Sequence, residues 1–292
     1  MAEESIYRSA KGEKEVKQIY DRQLADLDYN FESRFIETQL GKTHILISEK
    51  SKSRNLLFFH GGNSTNPYLL KHFQELLSDF QIYSPDIIGH PGYSAPKSPS
   101  VRDDSYGKWA EEIISKLGFS EVNCAGISYG GGILTKLASA APAKIKNGIF
   151  IVPSGIANSS MFSILFKLGL PMLKYKLISS KKNLIKTVKP LVGDEEIDLE
   201  TVRMIKTIFN HVKVNAEMPE NIKAGDIEDY RAPSLVIAAE NDVLFPGEKV
   251  LNRAQDIFAG PLETCLLEGA PHFCFLNEDH AKQIVDLIND FI

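Results

Sequence analysis

From residue 55 onward, short apolar runs alternate with amphipathic stretches: NLLFFH, QIYSPDII, EVNCAGI, GIFIVP, PSLVIAA and LETCLLE, most of them separated by helix-like segments. Runs that are short and apolar on both faces are what strands look like inside a parallel sheet, where helices cover both sides. The intervening patterns predict helices near residues 68–77, 103–117, 130–140, 248–258 and 278–292. The expected fold class is α/β, an open sheet with helices on both faces.

Two regions depart from this alternation. Ahead of it, Val16, Ile19, Tyr20, Leu24 and Leu27 fall at helical spacing and predict an amphipathic helix over about 11–28. Two extended segments around 35–39 and 43–48 flank Leu40-Gly41-Lys42 and read as a hairpin. Between 155 and 230 there are helical patterns but no convincing strand, so this interval reads as a helical cap inserted into a core made of 1–154 and 231–292. The first cap helix, from about 161 to 178, carries Met161, Phe162, Ile164, Leu165, Phe166 and Leu168 on nearly every side. That is more apolar surface than packing against one neighbour needs. Two compatible readings follow: a helix buried between cap and core, and a substrate lid in which Met161, Phe162 and Phe166 line an apolar pocket.

A hydrophobic content of 43% lets a chain of 292 residues bury a sizeable core. The net charge of −5 gives no electrostatic reason for a polyanionic partner, which sets nucleic acid aside. The first residues are charged throughout, and no stretch approaches the ~18 uninterrupted apolar residues of a membrane span. A cytoplasmic protein without a membrane span is expected. Cys124, Cys265 and Cys274 are an odd number without C-x-x-C spacing, which argues against a disulfide framework and a zinc site. Cys274 lies two residues beyond His272 but has no base of its own.

The segment EVNCAGISYGGG joins an apolar strand to a helix-forming stretch through Gly126-Ile127-Ser128-Tyr129-Gly130. A serine on a sharp strand-to-helix turn needs glycines around it, because side chains there would clash. The turn holds the Ser128 hydroxyl near a helix N-terminus, whose dipole favours developing negative charge. A serine hydroxyl is a poor nucleophile at neutral pH and needs an imidazole to take its proton. His272, in EGAPHFCF after the last strand-like run, sits at the sheet edge where sites form. Its imidazole needs a carboxylate; Asp242, in the loop after PSLVIAA, is placed to turn toward it, whereas Glu240 still lies at the strand terminus. An oxyanion hole would draw on the backbone N–H of Tyr129 and of Gly62, in His60-Gly61-Gly62-Asn63, with Asn63 the next candidate and a substrate contact.

HGGN at 60, DIIGHPGYS from Asp86, GISYG at 126, NDVLFP at 241 and GAPHFCFLNE at 269 occur in order, and together they resemble the α/β-hydrolase superfamily in its capped carboxylesterase-like branch. The resemblance spans from about Phe35 to Ile292. It implies an α/β-hydrolase fold with a mostly parallel eight-stranded sheet, a helical cap over Ser128, and no catalytic role for Asp86 and His90. It also implies a serine hydrolase that cleaves a carboxylic ester of a small apolar molecule through an acyl-enzyme, with no metal and no cofactor. Ser128 departs from the dehalogenases and epoxide hydrolases of this fold, which place Asp at the elbow. Thioesterase, lactonase or C–C bond hydrolase chemistry, and a ligand-binding sensor with little turnover, stay open on the same residues.

Overall fold

The computed structural model describes residues 5–49, 54–214 and 217–292. Eight strands form one sheet: β1 Phe31–Thr38, β2 Gly41–Ser48, β3 Arg54–Phe59, β4 Phe80–Pro85, β5 Val122–Ile127, β6 Ile145–Ile151, β7 Ser234–Ala239 and β8 Leu262–Leu267. Their order is β1-β2-β4-β3-β5-β6-β7-β8. β2 runs antiparallel to β1 and β4, and the other neighbours pair parallel. This is the mostly parallel eight-stranded sheet the sequence implied. β5 and β7 are buried along their whole length, which is why both read as unbroken apolar runs. β1 begins at Phe31, earlier than the pattern placed it. It is the edge strand, and Glu32, Ser33 and Arg34 are exposed, so burial left no apolar signal to read.

Helices Asn66–His72, Ser105–Lys116, Tyr129–Ala140, Gly247–Ile257 and Glu278–Phe291 cover the sheet. Two apolar cores lie on its opposite faces, one around Phe58, Phe73, Ile237 and Ile284, the other around Phe59, Trp109, Phe150 and Val236. Alternate residues of one strand therefore feed different cores, as the two-residue period of a strand requires. The first helix, Ala10–Ala25, starts at Ser9, whose Oγ accepts from the Gly12 N–H, and it buries Val16 and Tyr20. It lies against helix Leu199–His211 so closely that a Cβ on Gly12 would stand 2.9 Å from the His211 Cβ.

Among the described residues, the interval between β6 and β7 holds no strand. It carries a helix Met161–Ile164, a π-helical segment Leu165–Gly169, and helices Leu170–Leu177, Lys181–Val192 and Leu199–His211. Its neck is tied where the Ile222 N–H donates to the Gly155 carbonyl at 2.8 Å. The expectation that the 161–178 run is buried needs correction: Met161, Phe162 and Phe166 are 72%, 71% and 53% exposed. The helix packs on one side only, through Tyr175, which is buried, and Ile164 and Leu168, which are half-buried. Among the described residues, no helix is long and apolar enough to cross a membrane.

Candidate active site

β5, β7 and β8 run parallel, so their C-terminal ends lie on one edge of the sheet, and each delivers one polar side chain there. β5 ends at Ile127, and the chain turns at Ser128 into helix Tyr129–Ala140. Ser128 sits at φ 54° and ψ −115°, strained for a residue with a Cβ. Its neighbours allow the turn: a Cβ on Gly126 would come within 2.3 Å of the Gly130 carbonyl oxygen, and one on Gly130 within 2.2 Å of the Phe59 oxygen. The Ser128 N–H donates to the Ile151 carbonyl at 2.9 Å, so strand β6 holds the turn in place.

Ser128 Oγ lies 3.0 Å from His272 Nε2, and His272 Nδ1 lies 2.7 Å from Asp242 Oδ2. The other oxygen, Asp242 Oδ1, accepts from the Leu244 N–H at 2.7 Å and the Phe245 N–H at 3.0 Å. Because Asp242 is buried and both its oxygens are engaged, the carboxylate keeps a fixed orientation and fixes the imidazole's in turn. With Nδ1–H donating to the carboxylate, Nε2 is left with a lone pair facing the serine hydroxyl. Glu240 is elsewhere: its Oε2 accepts the Gly269 N–H at 2.7 Å on the surface. The loops carrying Asp242 and His272 are joined, since the Asn241 N–H donates to the Ala270 carbonyl at 2.9 Å.

The loop after β3 lies against the serine turn. A Cβ on Gly61 would lie 3.8 Å from Ser128 Cβ, and one on Gly62 3.0 Å from Tyr129 Cβ. As the first helical residue, Tyr129 has no intrahelical acceptor for its N–H. Gly62 and Tyr129 are thus brought together. The Asn63 N–H instead donates to His90 Nδ1 at 2.9 Å, with Asn63 at φ 49°.

Two histidines brace this loop, His60 as its place in the sequence suggested and His90 without a sequence signal. His60 Nδ1 donates to the Gly61 carbonyl at 2.7 Å, and its Nε2 accepts from the Ile87 N–H at 2.9 Å. His60 and His90, both buried, link the 60–63 loop to the 87–90 loop. Burial, with a smaller push from His60, lowers the His90 imidazole to about 3, and burial lowers that of His60. Both rings stay neutral near pH 7, as an accepting nitrogen must. Asp86 belongs to a separate buried cluster, 2.9 Å from His44 Nδ1 and accepting the Tyr20 hydroxyl at 2.8 Å.

The segment between β6 and β7 touches the loops that carry Asp242 and His272. Ser159 donates from N to the Leu244 carbonyl at 2.7 Å and from Oγ to the Val243 carbonyl at 2.9 Å. At the other end, the Phe273 N–H donates to the Leu191 carbonyl at 2.8 Å, and a Cβ on Gly193 would lie 3.2 Å from Pro271.

A family model described as alpha/beta hydrolase fold matches residues 54–175, the stretch that holds β3, the Gly61-Gly62 loop and the serine turn. The architecture and this match agree. The chain has the α/β-hydrolase fold. It is 27% identical to carboxylesterase YbfK of Bacillus subtilis over 137 residues, a stretch that covers 47% of this chain and 46% of that one. With the uncharacterized carboxylesterase nap of the same organism, identity is 21% over 264 residues, 87% of this chain and 85% of the relative. The solved structure of naproxen esterase (carboxylesterase NP) from Bacillus subtilis superposes with a TM-score of 0.83 at 18% identity, covering 97% of this chain and 99% of that one.

Two phenyl rings stand beside the imidazole of His272. The rings of Phe245 and Phe273 stand 5.3 and 5.8 Å from that of His272. Met161, Phe162 and Phe166, expected to line a pocket, are left largely to solvent. In the same stretch, Ile164 and Leu168 pack against the core cluster that contains Tyr129 and Phe245.

Proposed function

We propose that this α/β hydrolase cleaves a carboxylic ester of a small apolar molecule through an acyl-enzyme. The observation that carries the reading is the continuous hydrogen-bond chain Ser128 Oγ–His272 Nε2, His272 Nδ1–Asp242 Oδ2. Ser128 Oγ attacks the ester carbonyl carbon while its proton passes to His272 Nε2. The resulting oxyanion is met by the N–H groups of Gly62 and Tyr129. The imidazolium then returns the proton to the departing alcohol, leaving Ser128 acylated. Water repeats the sequence with the same base and releases the carboxylic acid. Asp242 holds the tautomer and stabilises the imidazolium.

The segment between residues 155 and 230 acts as the cap over this site. Its ties to the Val243–Leu244 carbonyls and to Phe273 support that reading, since they join it to the loops of acid and base. The apolar surroundings of His272 support an apolar substrate, and two carboxylesterase relatives support ester chemistry. The test is steady-state hydrolysis of p-nitrophenyl esters of graded acyl length. Wild type should turn them over with a burst equal to enzyme concentration, and intact-mass analysis of a quenched reaction should place the acyl mass on Ser128. Ser128→Ala should lose both. Turnover retained in Ser128→Ala would overturn the reading.

A further inference from the structure

The outer face of the cap is an unusual surface for this chain. Phe162, Leu165, Phe166, Leu170, Leu173 and Leu177 are all at least 48% exposed. They recur at helical intervals of three and four, so they form one apolar row, while Tyr175 on the opposite side is buried. A globular helix ordinarily turns such a row inward. A contiguous apolar row turned outward marks a contact surface.

Charge distinguishes what it contacts. Between residues 155 and 193 the sequence holds seven lysines and no aspartate or glutamate, in a chain whose net charge is −5. Lys167, Lys174, Lys176, Lys181, Lys182 and Lys186 are exposed, and among the described residues none of these six makes an ion pair; the seventh, Lys189, pairs with Asp194 at 2.8 Å. An apolar row flanked by lysines is the composition of helices that lie in the interface of an anionic bilayer, apolar side chains below the headgroups and ammonium groups among the phosphates. A second copy fits poorly, because a twofold contact would bring the same lysines face to face.

We infer that the outer face of residues 161–189 docks on an anionic phospholipid surface. The helix that starts the row is capped by Ser160, next to the Ser159 tie to the Val243–Leu244 carbonyls, so docking would press on the segment rooted beside Asp242. The inference concerns binding and does not depend on the ester reading.

The test is flotation of the full chain with phosphatidylcholine vesicles, with and without phosphatidylglycerol, alongside its solution mass by light scattering. Wild type should float with the phosphatidylglycerol vesicles only, and added salt should release it. The double variant Leu173→Ser and Leu177→Ser, and the double variant Lys181→Glu and Lys182→Glu, should each weaken partitioning by at least about tenfold. These positions are exposed, so the melting temperature should stay that of wild type. Failure of wild type to bind anionic vesicles, equal binding to both vesicle types, or unchanged binding by either variant would overturn the inference. So would a dimer that Leu173→Ser dissociates, since a second copy would then be the occupant of this face.

Discussion

Ser154 grips the backbone of Ser128 from behind: its N–H and its Oγ both donate to the Ser128 carbonyl, at 3.0 and 3.2 Å. Ser154 is fully buried, so the strained turn is held by a hydroxyl that never meets solvent. Ser154→Ala keeps the backbone bond and removes the hydroxyl bond, which costs about 0.5–1.5 kcal/mol. The expected outcome is a melting temperature lower by a few degrees and a several-fold drop in kcat, with acylation still on Ser128. Calorimetry and burst kinetics check it.

The two acids at the end of β7 should separate cleanly. Asp242→Asn replaces an acceptor with an amide that favours the wrong imidazole tautomer, and kcat should fall by about three to four orders of magnitude. Glu240→Gln loses only an exposed contact to the Gly269 N–H, and kcat should stay within about twofold. Steady-state assays of both variants decide it.

Acid should destabilise the fold through its buried neutral histidines. Burial, countered in part by Asp198 and helped slightly by Lys71, lowers His72 to about 4 from its ordinary 6.5, and His90 falls to about 3. Below about 6.5 the unfolded chain binds protons that the folded chain refuses. Stability present above that value is therefore lost as pH falls toward 4, by up to about 1.4 kcal/mol per pH unit for each histidine. His72→Phe, which keeps the ring contacts to Tyr68 and Phe275, should make the melting temperature less sensitive to pH between these limits. Melting curves of wild type and variant across that window measure the difference.

Cys274 lies near Asp242 but should be chemically silent. Burial first, then the Asp242 charge, push its thiol up to about 12, so it carries negligible thiolate at pH 8. Incubating the native enzyme with iodoacetamide at that pH should leave ester hydrolysis intact and Cys274 unmodified in the peptide map.

The strands of the core were legible because burial on both faces writes an unbroken apolar run, as in β5 and β7. Ser128 and Asp242 were legible because each follows such a run, and His272 because it follows the last, edge strand β8 and lies at the same sheet edge. The pairing of the His60 brace with the 87–90 loop was not. His60 and His90 are thirty positions apart in sequence and meet only through the 60–63 and 87–90 loops, and no local pattern marks that pairing. The same limit applies to Phe162 and Phe166: the sequence shows how apolar a helix is, but the packing of Ile164, Leu168 and Tyr175 decides which face turns inward.

The account rests on Ser128 being the nucleophile and His272 its base. An alkyl fluorophosphonate, followed by intact-mass and peptide analysis, tests both at once. The account predicts one phosphonyl group per chain, on Ser128, with the labelling rate falling by orders of magnitude in His272→Ala. Labelling at another serine, or labelling of Ser128 at the wild-type rate in His272→Ala, would contradict it.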